Sequence, residues 1–225
     1  MLSFYRSTIG KKIIMGVTGL IGIGFVIFHM VGNLQVFIGR EKLNAYGALL
    51  HGPLAELLWL LRAVLIVAVV LHVLMAVQLT RRSMAARPLG YRRKEAQVAT
   101  LASRTMLAGG ILLLVFIVVH VMHFTTEQID PGRWAGRTDV AGHRDVYGNV
   151  VASFRIWWVL LFYLAAMIAL GFHLFHGAWS SIRTLGYATA SPQPLKRRIA
   201  LGVALLVWLG FTVVPVGVAT GVIRR

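Results

Sequence analysis

Residues 13 to 37 read IIMGVTGLIGIGFVIFHMVGNLQVF, an apolar run with no charged side chain and a single histidine, His29. A helix needs about 20 residues to cross the roughly 30 Å hydrocarbon core of a bilayer, and this run is long enough. The basic residues Arg6, Lys11 and Lys12 precede it, as they would precede a signal peptide. Its length and its lack of a small-residue cleavage site instead predict a retained transmembrane helix.

Four further stretches have the same length and character, and they run from Ala55 to Leu79, Thr105 to Phe124, Ile156 to Trp179 and Ile199 to Val222. With 58% apolar residues, the chain is predicted to be an all-α membrane protein with five transmembrane helices. No loop is long enough to fold separately, so residues 1–225 are expected to form one domain. The longest loop, Thr125 to Phe154, is expected to cap the outer surface as a short structured segment.

Charge is distributed unevenly between the two ends of these stretches. One set of ends carries 14 basic residues and a single acid, Glu95, whereas the other carries nine basic and six acidic residues. Cytoplasmic ends of membrane helices are enriched in Lys and Arg. The pattern predicts a multi-pass protein of the cytoplasmic membrane with its N-terminus inside and its C-terminus outside. We expect the basic residues to meet membrane lipid and not nucleic acid.

Histidines inside the apolar stretches are the main functional signal, because hydrocarbon offers an ionisable side chain no partner. At about 1.5 Å per residue, His29 and His120 lie roughly 22 to 24 Å from the inner ends of their helices. His72 and His173 lie roughly 25 Å from the outer ends of theirs. Four helices thus supply two pairs at matched depth, as two bis-histidine haems require. We predict two b haems in a four-helix bundle, with iron bound by His29 with His120 and by His72 with His173.

Two features around these histidines leave alternatives open. Small residues beside them would make room for a flat macrocycle, although they would equally allow close helix packing. They are Ala68, Ala76, Ala169, Gly177, Gly22 and Gly32. His123 and His176 follow His120 and His173 by three residues, so spacing alone does not decide which of each two is the ligand. Matched depth favours His120 and His173. A cysteine-free chain excludes disulfides and thiolate-held iron–sulfur clusters.

Three arginines, Arg62, Arg104 and Arg155, lie near helix ends where haem propionates would emerge. A guanidinium pairs well with a carboxylate, so all three are candidate haem-binding residues. For Arg104 and Arg155, an interfacial side chain that reaches toward water is an equal alternative. Arg62 is expected to lie deeper and is the better candidate.

Several motifs along the chain match a known family, and they are STIGKK (7–12), GVTGL (16–20), HMVGNLQ (29–35), NAYG (44–47), LHV (71–73), VHV (119–121) and FHLFHGAWS (172–180). Through them the chain resembles, over essentially its whole length, the cytochrome b558 membrane-anchor subunits of succinate dehydrogenase and the related dihaem fumarate reductases. The resemblance implies five helices in the same order and the same four histidine ligands. His176 is not histidine in some relatives and is given no ligand role.

The resemblance also implies a function, the electron-transfer subunit of a succinate:quinone oxidoreductase, or respiratory complex II. The implied partners are a flavoprotein subunit and an iron–sulfur subunit, whose electrons would reach menaquinone through the two haems. The whole complex could form a higher oligomer. We expect the segments Arg81 to Arg104 and Lys196 to Arg198 to help dock the iron–sulfur subunit. The alternative is that these charges only set topology and meet anionic lipid.

A haem near the outer face is useful if the quinone binds there, and such a site needs a group that passes protons. Glu56 opens the second stretch on the outer side, and His51 precedes it by five residues. They are the candidate catalytic residues for quinone reduction. The alternatives are a carboxylate favoured by the helix dipole for Glu56 and a solvated loop side chain for His51.

Two other functions compete with this interpretation. A dihaem anchor of a formate dehydrogenase or hydrogenase also uses membrane histidines, but the HMVGNLQ block and the order of five helices argue against it. A transporter or proton channel with a histidine pathway belongs to a different class. Broken helices or symmetric halves, which transporters usually show, are not evident in the sequence.

Overall fold

Helices make up most of the part of the chain that the computed structural model describes, residues 2–86, 101–130, 132, 136–187 and 194–224. This part contains no strand, and its one β-bridge joins Thr138 to Arg144. The helices are α1 (Leu2–Arg6), α2 (Thr8–Leu34), α3 (Arg40–His51), α4 (Ala55–Ala85), α5 (Leu101–Arg104), α6 (Met106–His120), α7 (Val146–Phe154), α8 (Trp157–Thr184) and α9 (Pro194–Ala219).

Five of these helices, α2, α4, α6, α8 and α9, are long and apolar enough to cross a membrane. A 3₁₀ turn, Gln35–Phe37, extends α2, and a π-helical turn, Val121–Thr125, extends α6. The predicted all-α membrane fold with five long helices is therefore confirmed. The helices extend past the predicted bounds mainly at their basic ends, where α2 begins at Thr8 and α4 ends at Ala85. Hydropathy marks only the part of a helix that hydrocarbon surrounds, so it misses these polar turns.

Helix α8 occupies the centre of the bundle and packs along α9, α6 and α2. Helix α2 packs along α4 and α9 in turn. At the basic ends, α2 and α4 are joined by polar contacts, because Lys11 donates to the Gln78 amide oxygen and Arg82 donates to Thr8 Oγ1. This arrangement places α2, α4, α6 and α8, the four helices with paired histidines, side by side.

Two short helices at the opposite end of the bundle, α3 and α7, were not predicted. Every residue of α7 except the half-buried Val146 is buried, so the described part of the 125–154 loop is structured, as expected, but contains a buried helix. Asn44 of α3 is 0% exposed and donates to Asp139 Oδ2 and Asp145 Oδ1, each at 3.0 Å, while its Oδ1 accepts from the Tyr147 N–H. We call α3, α7 and the described residues of the 126–145 segment between α6 and α7 the cap. Most of the predicted docking loop, residues 87–100, lies outside the described residues.

Candidate paired-histidine sites

The rings of His72 on α4 and His173 on α8 face each other with their centroids 6.0 Å apart. His72 Nδ1 lies 3.1 Å from the carbonyl oxygen of Met15 on α2. Because a carbonyl oxygen only accepts, Nδ1 carries the proton and donates it. The neutral His72 ring therefore has a bare Nε2, the atom that a metal ligand needs. Metal-binding histidines usually hold their second nitrogen in this way.

His173 has a buried ring nitrogen without a partner. Its Nδ1 and Thr212 Oγ1 are the two buried side-chain polar atoms in the described residues that lack a hydrogen bond. Such an orphaned group costs about 1–3 kcal/mol unless a ligand satisfies it. His173 and His72 present two imidazoles that face each other, and a metal ion between the two rings would need one bare nitrogen from each.

The second pair consists of His29 on α2 and His120 at the end of α6, with ring centroids 5.8 Å apart. Aromatic rings surround it, since Phe25 stacks on His29 at 5.4 Å and Phe116 stacks on His120 at 5.5 Å. Thr18 on α2 contacts His72 and therefore marks the level of the other pair on α2. At a rise of about 1.5 Å per residue, His29 lies about 16 Å further along the same helix. The two pairs therefore occupy two separate levels of one bundle.

The spacing of both pairs suits one metal ion between two imidazoles. Two metal–nitrogen bonds of about 2 Å, added to the half-widths of two rings, put the ring centroids about 6 Å apart. The described residues contain no cluster of three or more His, Asp or Glu side chains that could hold a metal ion. Each pair thus offers two imidazoles, the number that a bis-histidine haem would take from the protein.

The predicted small residues include glycines near the histidine pairs, but the space beside these glycines differs from one to the next. A Cβ added at Gly19 would come within 3.3 Å of His72 Cε1, so Gly19 lets that ring approach α2. At Gly22 and Gly177 an added Cβ would meet nothing within 4 Å, so open space lies beside both. Gly32 differs, because the Tyr46 ring occupies its space, with Cε1 3.0 Å from an added Cβ. The room predicted at Gly32 is therefore taken by protein.

His123 differs from His120 in what its ring nitrogens contact. It is 2% exposed, its Nδ1 lies 2.9 Å from the Tyr163 hydroxyl and its Nε2 lies 2.8 Å from Ser153 Oγ. Both nitrogens are thus used within the protein, whereas His120 faces His29. Similarly, the ring that faces His72 is that of His173. The geometry favours His120 and His173 as ligands, in agreement with the depth argument.

The two candidate proton-passing residues and Arg62 lie near one another in sequence at the cap end of α4. His51 Nδ1 donates to the Gly47 carbonyl at 2.9 Å, and its Nε2 accepts from Arg62 at 3.4 Å. The Arg62 guanidinium also lies over the Trp59 ring, 5.0 Å from its centroid. Arg62 is half-buried, and Glu56 is exposed in the first turn of α4. The roles of Glu56, His51 and Arg62 stay predictions.

The other two arginines lie on the surface. Arg104 is exposed at the end of α5. Arg155 is exposed just after α7, where it lines a shallow pocket with Trp157 and Thr220. Both positions suit an interfacial side chain as well as a propionate partner, so their haem-binding roles also stay predictions.

Sequence reasoning missed three residues that the structure connects to the 29/120 pair, Tyr163, Ser153 and Asn149. Tyr163 lies within the apolar α8, and its hydroxyl contacts both His120 and His123. One signal could have found it, because a hydroxyl at membrane depth needs a polar partner. Ser153 and Asn149 gave no such signal, since their burial depends on how α7 packs.

The described residues thus define an all-α protein with five helices able to span a membrane and two pairs of facing histidines between those helices. Comparison with known proteins finds no matching family model, no matching curated protein and no matching solved structure. The resemblance to the cytochrome b558 subunits therefore stays a prediction.

Proposed function

We propose that this chain is the membrane-anchor cytochrome b subunit of a succinate:quinone oxidoreductase, with one b haem at each histidine pair. The observation that carries the proposal is the presence of two pairs of imidazoles, with centroids 6.0 and 5.8 Å apart, at two levels of one bundle. The haems would supply one-electron chemistry at two depths of the membrane.

The chain's own residues orient the ligands. The carbonyl of Met15 takes the Nδ1 proton of His72 and so fixes both the tautomer and the direction of the ring. Phe25 and Phe116 stack on His29 and His120 and hold those rings against rotation. These aromatic neighbours also make the surroundings of the pair apolar, which excludes water.

The charges of the helix ends support a polarity for the whole assembly. The 72/173 pair lies toward the basic ends of α4 and α8, which carry Arg81, Arg82 and Arg183. By the positive-inside rule these ends face the cytoplasm, with the C-terminus on the other side. The flavoprotein and iron–sulfur subunits are proposed to dock there, on a surface that includes Lys196 to Arg198 at the start of α9.

The proposed quinone site lies at the opposite end, beside the 29/120 pair. His51 is the last residue of α3 and Glu56 lies in the first turn of α4, both at the cap end of the bundle. Menaquinone is the proposed substrate. His51 Nε2 already accepts from Arg62, so Glu56, which is exposed, is the better candidate to pass protons to a quinone.

The test is to purify the tagged chain from its native membranes. We expect the flavoprotein and iron–sulfur subunits to copurify, a reduced-minus-oxidised spectrum with b-type absorbance, and two haems per chain. Addition of succinate should reduce haem in the purified complex. A chain that carries no haem would contradict the proposal and favour a transporter. Haem together with the subunits of another dehydrogenase would contradict the succinate assignment alone.

A further inference from the structure

A continuous line of buried polar side chains runs from the cap to the 29/120 pair. Ser153 Oγ lies 3.0 Å from Asn149 Oδ1, and His123 Nε2 lies 2.8 Å from Ser153 Oγ. The Tyr163 hydroxyl then lies 2.9 Å from His123 Nδ1 and 3.3 Å from His120 Nδ1. The line joins α7, the π-helical turn after α6, and α8, and it ends on a histidine that faces His29.

The directions of these hydrogen bonds follow one from another. Asn149 Oδ1 only accepts, so the single Ser153 hydroxyl proton is donated to it. Ser153 Oγ must then accept from His123 Nε2, which leaves Nδ1 of a neutral His123 as an acceptor for the Tyr163 hydroxyl proton. With its own proton donated, the Tyr163 oxygen accepts from His120 Nδ1. In the neutral His120 ring the proton is therefore on Nδ1, and Nε2 is bare.

We propose that Tyr163, backed by His123, Ser153 and Asn149, is a positioning residue that fixes the tautomer of His120 so that Nε2 can bind iron. The inference rests on the proposed function, since it assigns a haem to the 29/120 pair. His72 reaches the same state by a different route, a hydrogen bond to the backbone carbonyl of Met15. The two proposed haem sites thus have unlike partners behind their ligands, one a backbone carbonyl and the other a side-chain relay.

The polar side chains of this line are buried, as expected for a specific hydrogen-bonded arrangement. Asn149 is 5% exposed and Ser153 0%, although both are polar. The π-helical turn starts directly after His120 and carries His123, so one tyrosine hydroxyl reaches both rings. Single π-helical turns within α-helices occur frequently at functional sites. If one hydrogen bond of this line were lost, a buried polar group would be left unsatisfied, so the bonds of the line stabilise one another.

The consequence for the haem is a lower midpoint potential. An imidazole that donates its Nδ1 proton is a stronger electron donor through Nε2, and a stronger donor favours the oxidised iron. Tyr163→Phe removes the acceptor and keeps the ring. The midpoint potential of one of the two haems should therefore rise, while that of the other should stay where it is.

The matched control is Tyr147→Phe. Tyr147 is also a buried tyrosine, but its hydroxyl donates to the carbonyl of Arg224, beyond the end of α9, at 2.7 Å and not to a histidine. Both variants lose one buried hydroxyl, so a general loss of stability should affect them alike. Only Tyr163→Phe should move a haem potential.

The experiment is a potentiometric titration of the purified complex, followed optically, with electron paramagnetic resonance of the oxidised haems as the second readout. We expect Tyr163→Phe to raise one potential and to change the low-spin signal of one haem only. Ser153→Ala, which interrupts the line one residue further back, should shift the same haem by less.

Unchanged potentials and signals in both Tyr163→Phe and Ser153→Ala, with two haems bound, would overturn the role of Tyr163. Equal shifts of both haems would also overturn it, because they would indicate a general loosening. If Tyr163→Phe fails to assemble, Ser153→Ala decides by the same criterion. Absence of haem from the wild-type complex would instead contradict the proposed function.

Discussion

His72 on α4 donates its Nδ1 proton to the carbonyl oxygen of Met15 on α2, across 3.1 Å. To do so the ring passes over Gly19, one turn further along α2, where a Cβ would come within 3.3 Å of His72 Cε1. A glycine at this position therefore allows one proposed haem ligand to be fixed by the backbone of a neighbouring helix. The contact links helix packing directly to the orientation of a ligand.

Gly19→Val is predicted to disturb the 72/173 pair alone. The added side chain would push the His72 ring off the Met15 carbonyl, and loss of such a partner weakens metal binding about 10- to 100-fold. Haem content should fall toward one per chain, and the spectrum of the remaining haem should be unchanged. The matched control is Gly202→Val on α9, where an added Cβ meets nothing within 4 Å. Equal haem loss in both variants would count against this prediction.

Asn44→Leu is predicted to destabilise the cap. The substitution removes two hydrogen bonds to carboxylates and one from the Tyr147 N–H, all at a side chain with 0% exposure. Bonds to charged groups contribute about 1.5–3 kcal/mol each, so we expect a loss of about 3 kcal/mol or more in the free energy of unfolding. Thermal unfolding in detergent would measure it. Lys42→Ala, at an exposed position of the same helix, should have a small effect.

Asp139 is predicted to make the cap sensitive to acid. Partial burial raises the pKa of this carboxyl. Three hydrogen bonds lower it, one from Asn44 and two from the backbone N–H groups of His143 and Ala141, and the nearby His143 ring lowers it further. These interactions outweigh burial and hold the pKa below its usual value. Because the pKa of Asp139 is lower in the folded state than the unfolded value of about 3.9, its ionised carboxylate stabilises the folded state fully above that value. This stabilisation is lost as pH falls through the folded-state pKa. Asp139→Asn should therefore flatten the decline in melting temperature below about pH 4. An identical decline in the variant would argue against it.

Glu56→Gln tests the proposed quinone site. Succinate oxidation by an artificial dye and both haem spectra should persist, because Glu56 is exposed in the first turn of α4 and is not one of the four proposed haem ligands. Menaquinone-linked turnover should fall about 100-fold or more if this carboxyl passes protons, because general acid–base groups typically contribute at least that factor. Unchanged menaquinone turnover would remove Glu56 from the mechanism. Quinone found beside the 72/173 pair would place the site at the other end.

Hydropathy predicted the long helices. The depth of each histidine along its helix predicted which histidines of different helices lie near each other. Each membrane helix is a straight rod with a fixed rise, so matched depth becomes proximity once helices pack. The cap could not be predicted in the same way. The sequence of α7, VYGNVVASF, contains three valines and a glycine, which favour helix only weakly, and it is helical because tertiary packing buries residues 147–154.

The partners of the histidines were also beyond the sequence. The Met15 carbonyl is a backbone group, which no residue pattern marks as a hydrogen-bond acceptor. The choice between His120 and His123 depends on a π-helical turn, which changes the direction of each following side chain. Spacing by three residues leaves that choice open, whereas the contacts of His123 with Tyr163 and Ser153 favour His120.

The most direct test of the central claim is the haem content of paired histidine variants. If His29 with His120 and His72 with His173 each hold one haem, the double variant His29→Ala/His120→Ala should keep one haem per chain. His29→Ala/His72→Ala, which damages both pairs, should keep none, and His123→Ala should keep two. Equal haem content in the two double variants, or two haems in either, would contradict the assignment.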